Sequence, residues 1–138
     1  MIIGRFLYAG KSFLVTGPIT YSHWTPETSR DRTLRMIVVI DYNVGNVKSV
    51  CNAFRHIGCE AELSRDPARI VQATGLVLPG VAAFGYAMEA LGDAAGPVKM
   101  AAATGKPVLG ICVGHQLLFD ESTEYGPHKG LGLIQGRV

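Results

Sequence analysis

The sequence predicts an α/β protein with a parallel sheet covered by helices on both faces. Three observations carry that expectation. Short apolar runs alternate with stretches of helical periodicity from residue 36 to residue 138. Those runs, such as MIVVI, GLVL and KPVLGI, lack the alternation of a half-wet strand and suit strands buried on both faces. Glycine is abundant, 17 of 138 residues, as tight turns between strands and helices require.

The elements follow in order. MIVVIDY, at 36–42, is a first strand ending in a polar loop, NVGN. In VKSVCNAFRHIG, residues Val47, Val50, Cys51, Phe54 and Ile57 fall at helical spacing, and Gly58 is placed to close the helix as its C′ residue. CEAELS alternates as a second strand. Asp66 then Pro67 make an N-cap and a first helical residue, so DPARIVQA is a short helix. GLVLPG is a third strand, followed by helices in FGYAMEALGD and around PVKMAAATG. KPVLGI is a fourth strand, and VGHQLLFDES reads as the helix after it. ESTEYGPHKG is a loop, and GLGLIQGRV begins a further strand or hairpin. In such sheets ligands bind beyond the carboxyl ends of the strands. The loops at 43–46, 79–84 and 112–116 fall there.

Composition excludes several classes. Just under half of the residues are apolar, and no apolar run approaches the ~18 residues of a membrane span. A net charge of +2 is too small to imply nucleic acid, and its excess lies in residues 1–35, with five Lys/Arg against two Asp/Glu. That leader lacks a clean period, reads as linker through Gly17-Pro18 and Thr25-Pro26, and gives way abruptly to a strand at Met36. It is expected to be a disordered tail or a mis-assigned start ahead of a domain at 36–138. Three cysteines without framework spacing argue against a disulfide scaffold and for a reducing, cytoplasmic setting. Cys51 and Cys59 read as small buried hydrophobes, and no Cys/His spacing suggests a metal.

Cys112 is different. In GICVGHQ, Gly110 and Gly114 flank it at two residues on each side, where a buried strand meets a helix. This is the G-x-nucleophile-x-G elbow with cysteine in place of serine. Glycines relieve the clashes of a sharp, strained turn. The turn leaves the sulfur at a helix N-terminus, which favours thiolate, and aims the Val113 N–H where an oxyanion would form. A buried cysteine between packing glycines fits the same short pattern. The second loop, LPGVAAFGYAM, should lie beside the nucleophile strand, and an N–H at Gly80, Val81 or Ala82 could supply a second oxyanion donor.

Taken together, IDYNVGNVKSV, LPGVAAFGYAM, GKPVLGICVGHQLLFDES and GLGLIQGRV resemble the class I glutamine amidotransferases. More narrowly, they are similar to the glutaminase subunits of imidazole glycerol phosphate synthase. The resemblance covers 36–138 and none of the leader. It implies a three-layer, flavodoxin-like domain, incomplete at its C-terminus. It implies that Cys112 attacks the side-chain amide of L-glutamine and that water clears the thioester. Ammonia then passes to a (β/α)8-barrel cyclase subunit, the partner in a heterodimer of histidine biosynthesis. Val113 with Gly80 and Val81 would form the oxyanion hole, and Gly80, Ala82 and Gln116 would line the glutamine pocket. Asn43, Gly45 and Asn46 would lie near the cyclase interface. No metal or organic cofactor is implied.

Two departures bear on these expectations. Ala82 stands where the family has glycine, and its methyl could crowd the glutamine or stiffen the strip. The family's catalytic His and Glu, in a His-x-Glu arrangement, have no counterpart in the 138 residues. His115 reads as packing and His128 as an exposed loop residue. Losing the base of a serine triad costs about 10⁶ in kcat, so these residues alone are expected to have negligible glutaminase activity. A fragment from an incomplete gene model would account for that. A non-catalytic binding or scaffold module of the same fold, or another elbow-cysteine hydrolase, are the alternatives.

Overall fold

The computed structural model describes residues 36–138 and, ahead of them, the backbone of two strands, Gly4–Tyr8 (β1) and Lys11–Val15 (β2). These pair antiparallel, with Gly4 opposite Val15 and Tyr8 opposite Lys11. The sequence reading found no period there. The strands are short but rich in Phe, Leu, Tyr and Val, which favour extended backbone, and two residues separate them, as in the shortest hairpins. The linker reading of Gly17-Pro18 and Thr25-Pro26 lies outside the described residues.

The body is built on four parallel strands: Met36–Ile40 (β3), Glu60–Ser64 (β4), Gly75–Leu78 (β5) and Val108–Gly110 (β6). Their spatial order is β4-β3-β5-β6. Counted from β3, that is 2-1-3-4, the start of the flavodoxin-like order. Val38 pairs with both Glu62 and Leu76, and Val77 pairs with Leu109, so the nucleophile strand lies beside the strand of the second loop, as expected.

Alternation along β3 and β5 divides the core between two faces. Val38, Ile40, Leu76 and Leu78 face helices Pro67–Gln72 (α2), Phe84–Leu91 (α3) and Ala95–Ala103 (α4), through Ile70, Phe84, Leu91 and Val98. Val39 and Val77 face the opposite side, where Cys51, Val47, Val50 and Phe54 of Val47–His56 (α1) cover them. Cys51 is therefore a core residue, as its spacing implied. Cys59 lies at the half-buried approach to β4.

Helix ends follow the local chemistry. Asp66 accepts a hydrogen bond from the Ala68 N–H at 2.9 Å, with Pro67 behind it at the first helical position. Gly58 takes φ +78° just past α1, a conformation that favours glycine. Lys106, in the connection from α4 to β6, donates to the Val71 and Ala73 carbonyls and closes α2.

One element departs from expectation. The helix after β6 is a single turn, Val113–Gln116 (α5), and Phe119–Ser122 (β7) is a strand. It pairs antiparallel with His128–Lys129 (β8) and parallel with Ile134–Arg137 (β9). Leu117 and Leu118 are both buried, and the chain straightens after them. Gly130 fits so closely against the Phe119 carbonyl that no side chain could be tolerated there. A small second sheet thus stands where a longer helix and a loop were expected.

Candidate active site

Three loops leave the carboxyl ends of β3, β5 and β6, and they meet. Gly45, at φ +103°, lies so close to the next loop that a β-carbon on it would be 3.0 Å from the Gly80 nitrogen. A β-carbon on Gly80 would be 2.9 Å from the Tyr42 hydroxyl oxygen and 3.1 Å from the Gly114 nitrogen, and would collide with the Val113 side chain. Both glycines are therefore fixed by close approach of the three loops to one another.

Cys112 stands at the centre, between β6 and α5, at φ +55° and ψ −121°. A residue with a β-carbon rarely adopts that backbone, and the strain is the mark of a nucleophile elbow. The flanking glycines permit it. A β-carbon on Gly110 would overlap the backbone of Gly114 and His115, and one on Gly114 would overlap the Leu78 carbonyl. Cys112 is exposed, while Cys51 is buried. The elbow is thus present in geometry as well as in spelling. The single turn of α5 carries little macrodipole, so what its N-terminus offers is individual N–H groups rather than a long helix field.

Those N–H groups can be traced. The Gly114 N–H donates to the Ile111 carbonyl at 3.0 Å, and the His115 N–H to the Cys112 carbonyl at 3.0 Å. The Val113 N–H donates to no acceptor among the described residues, and neither do those of Gly80, Val81 and Ala82. Gly80 touches Val113, so two sets of free donors lie side by side next to the exposed cysteine.

Ala82 has ordinary negative-φ backbone and packs against the main core. Its methyl is seated on the core. Val81 directs its side chain to solvent. Asn46 caps α1, its side-chain oxygen accepting from the Ser49 N–H at 3.3 Å, while Asn43 is exposed at φ +60°. Gln116 ends α5 and is half-buried. His115 stacks edge-on against Phe119 with ring centroids 5.3 Å apart, a packing contact. His128, expected in an exposed loop, is half-buried in β8 and packs against Gly85 and Phe84.

The sequence reading gave no role to Tyr42, which is wholly buried beneath these loops. Its hydroxyl donates to the Pro79 carbonyl. Burial, assisted by the negative charge of a Cys112 thiolate nearby, pushes its pKa up to about 12. A tyrosine in a polar strand–loop junction, followed two and three residues later by Val-Gly, was the available signal.

Among the described residues no group of three or more His, Cys, Asp and Glu side chains could hold a metal, and no helix is long and apolar enough to cross a membrane.

Residues 38–129 match the family model described as Glutamine amidotransferase class-I, two thirds of the sequence. The chain belongs to the class I glutamine amidotransferase family. Among curated proteins it is 56% identical over 106 residues to imidazole glycerol phosphate synthase subunit HisH of Symbiobacterium thermophilum, covering 74% of this chain and 49% of that protein. The HisH subunits of Sulfurimonas denitrificans and Lacticaseibacillus casei are 50% and 55% identical over 105 residues, which is 75% of this chain and 51% and 50% of theirs. The chain spans about half the length of the curated relatives it matches.

Proposed function

We propose that these residues form the nucleophile half of a glutaminase that feeds ammonia to a (β/α)8-barrel cyclase in histidine biosynthesis. The observation that carries the reading is Cys112 at a strained elbow beside the N–H groups of Val113 and of Gly80 to Ala82, none of them engaged among the described residues. The thiolate attacks the side-chain amide carbon of glutamine and a C–S bond forms. The oxyanion accepts hydrogen bonds from Val113 and from Gly80 or Val81. The C–N bond then breaks, ammonia leaves with a proton from a general acid, and water hydrolyses the thioester to glutamate. Ammonia reaches the cyclase, whose products are imidazole glycerol phosphate and an aminoimidazole carboxamide ribotide. Similarity to HisH subunits supports the narrower reading.

Acyl transfer also needs a base. His115 packs against Phe119, and His128 against Phe84 and Gly85. The resemblance assigns that task to a His-x-Glu pair. The test joins residues 36–138 to the remaining half of the Symbiobacterium thermophilum relative and supplies a barrel cyclase. Ammonia release from glutamine that disappears in Cys112→Ala is expected. Release that survives that substitution contradicts the proposal.

A further inference from the structure

The geometry points to Tyr42 as a positioning residue for the oxyanion strip, acting through its hydrogen bond to the Pro79 carbonyl. This inference rests on the glutaminase reading above. The Pro79–Gly80 peptide is trans, so its carbonyl and its N–H point in opposite directions within one plane. Holding the Pro79 oxygen therefore fixes the direction of the Gly80 N–H and the start of the strip that carries the Val81 and Ala82 N–H groups.

The strip has few other hydrogen-bond ties. None of the three N–H groups from Gly80 to Ala82 is engaged among the described residues, so they cannot hold themselves in place. Tyr42 is well suited to the task. It sits at the end of β3, a strand buried at the centre of the sheet, and its ring is fully enclosed. Its hydroxyl keeps its proton throughout the neutral range, so the donor is permanent. The absence of a side chain on Gly80 is what lets the phenol reach the turn. A core aromatic needs only its ring; the hydroxyl and its acceptor are the part that a packing role leaves unexplained.

Tyr42→Phe keeps the ring and removes the donor. The test uses the full chain and two thiol reagents, a chloroketone analogue of glutamine and iodoacetamide. With the first, the thiolate forms a C–S bond, the C–Cl bond breaks, chloride leaves and the thiol proton goes to solvent. The ketone oxygen must lie against the oxyanion donors. Iodoacetamide makes no such demand. The variant is expected to lose about tenfold in the saturating rate of labelling by the chloroketone, less than the loss of a whole oxyanion donor. Iodoacetamide should react within twofold of wild type. Amide exchange at 36–40 should be unchanged. Equal chloroketone rates overturn the inference. So does a loss matched by iodoacetamide and by faster exchange throughout β3, which is the mark of a merely structural role. Failure of the wild-type chain to react with the chloroketone while iodoacetamide still modifies Cys112 overturns the glutaminase reading and this inference with it.

Discussion

Gly114→Ala adds one methyl at the tightest point of the elbow. The new β-carbon would overlap the Leu78 carbonyl oxygen and lie 2.7 Å from the Leu78 carbonyl carbon. Neither atom can yield cheaply. That carbonyl belongs to β5 and accepts the Ile111 N–H at 2.9 Å, one of the bonds joining the nucleophile loop to the sheet. Relief must come from displacing α5 or breaking that bond. Overpacking in a well-packed interior costs about 1–3 kcal/mol, and a backbone obstacle puts this site at the upper end, about 3 kcal/mol. With a urea m-value of roughly 1.5 kcal/mol/M, the unfolding midpoint should fall by about 2 M. Gly96→Ala is the matched control. It adds the same methyl in α4, where a β-carbon would meet nothing within 4 Å beyond its chain neighbours, and with Pro97 behind it should change stability by less than about 1 kcal/mol. A loss of about 3 kcal/mol at Gly114 beside less than about 1 kcal/mol at Gly96 would show that the elbow glycine is required by contact. A Gly114→Ala midpoint at or above that of wild type would refute the reasoning.

Other outcomes follow from the same contacts. Because the folded Tyr42 pKa lies near 12 and the unfolded one near 10.0, its contribution is whole below pH 10 and is lost as pH rises towards 12. Urea midpoints of wild type and Tyr42→Phe should therefore converge between pH 9 and pH 11 by about 1.4 kcal/mol; parallel curves would contradict the burial argument. The Glu124 carboxylate accepts the Phe84 N–H at 2.8 Å and caps α3, whose own N-cap residue, Ala83, has no side chain to do so. Glu124→Ala should cost about 1 kcal/mol in thermal or urea unfolding, and an unchanged midpoint would remove that cap from the account. Phe84→Ala empties a fully buried site at the start of α3, against His128 of β8, and should cost about 3–5 kcal/mol by the same measurement.

The residues differ in how plainly the sequence announced them. MIVVI and GLVL could be placed because burial on both faces leaves an uninterrupted apolar run. Cys112 could be placed because two glycines at fixed spacing have few other uses, and its φ of +55° is the strain they exist to permit. The stretch after it was misread. Val113, Gln116 and Leu117 fit helical spacing as well as any helix, but β7 is decided by pairing with residues six to sixteen positions further on, and no local pattern records that. Tyr42 was legible as a strand end and not as a tie, because its partner is the backbone oxygen of a proline 37 residues away. Asn46 was read for an interface, and the structure adds a cap, which its position before a helical run also predicts.

The most direct test of the central claim is the site of reaction with the chloroketone analogue of glutamine, located by peptide mass spectrometry with and without excess glutamine. One adduct is expected, on Cys112, slowed in proportion to the glutamine present. An adduct on the half-buried Cys59 instead, or labelling of Cys112 that glutamine does not slow, would contradict the assignment of this elbow to a glutamine amide.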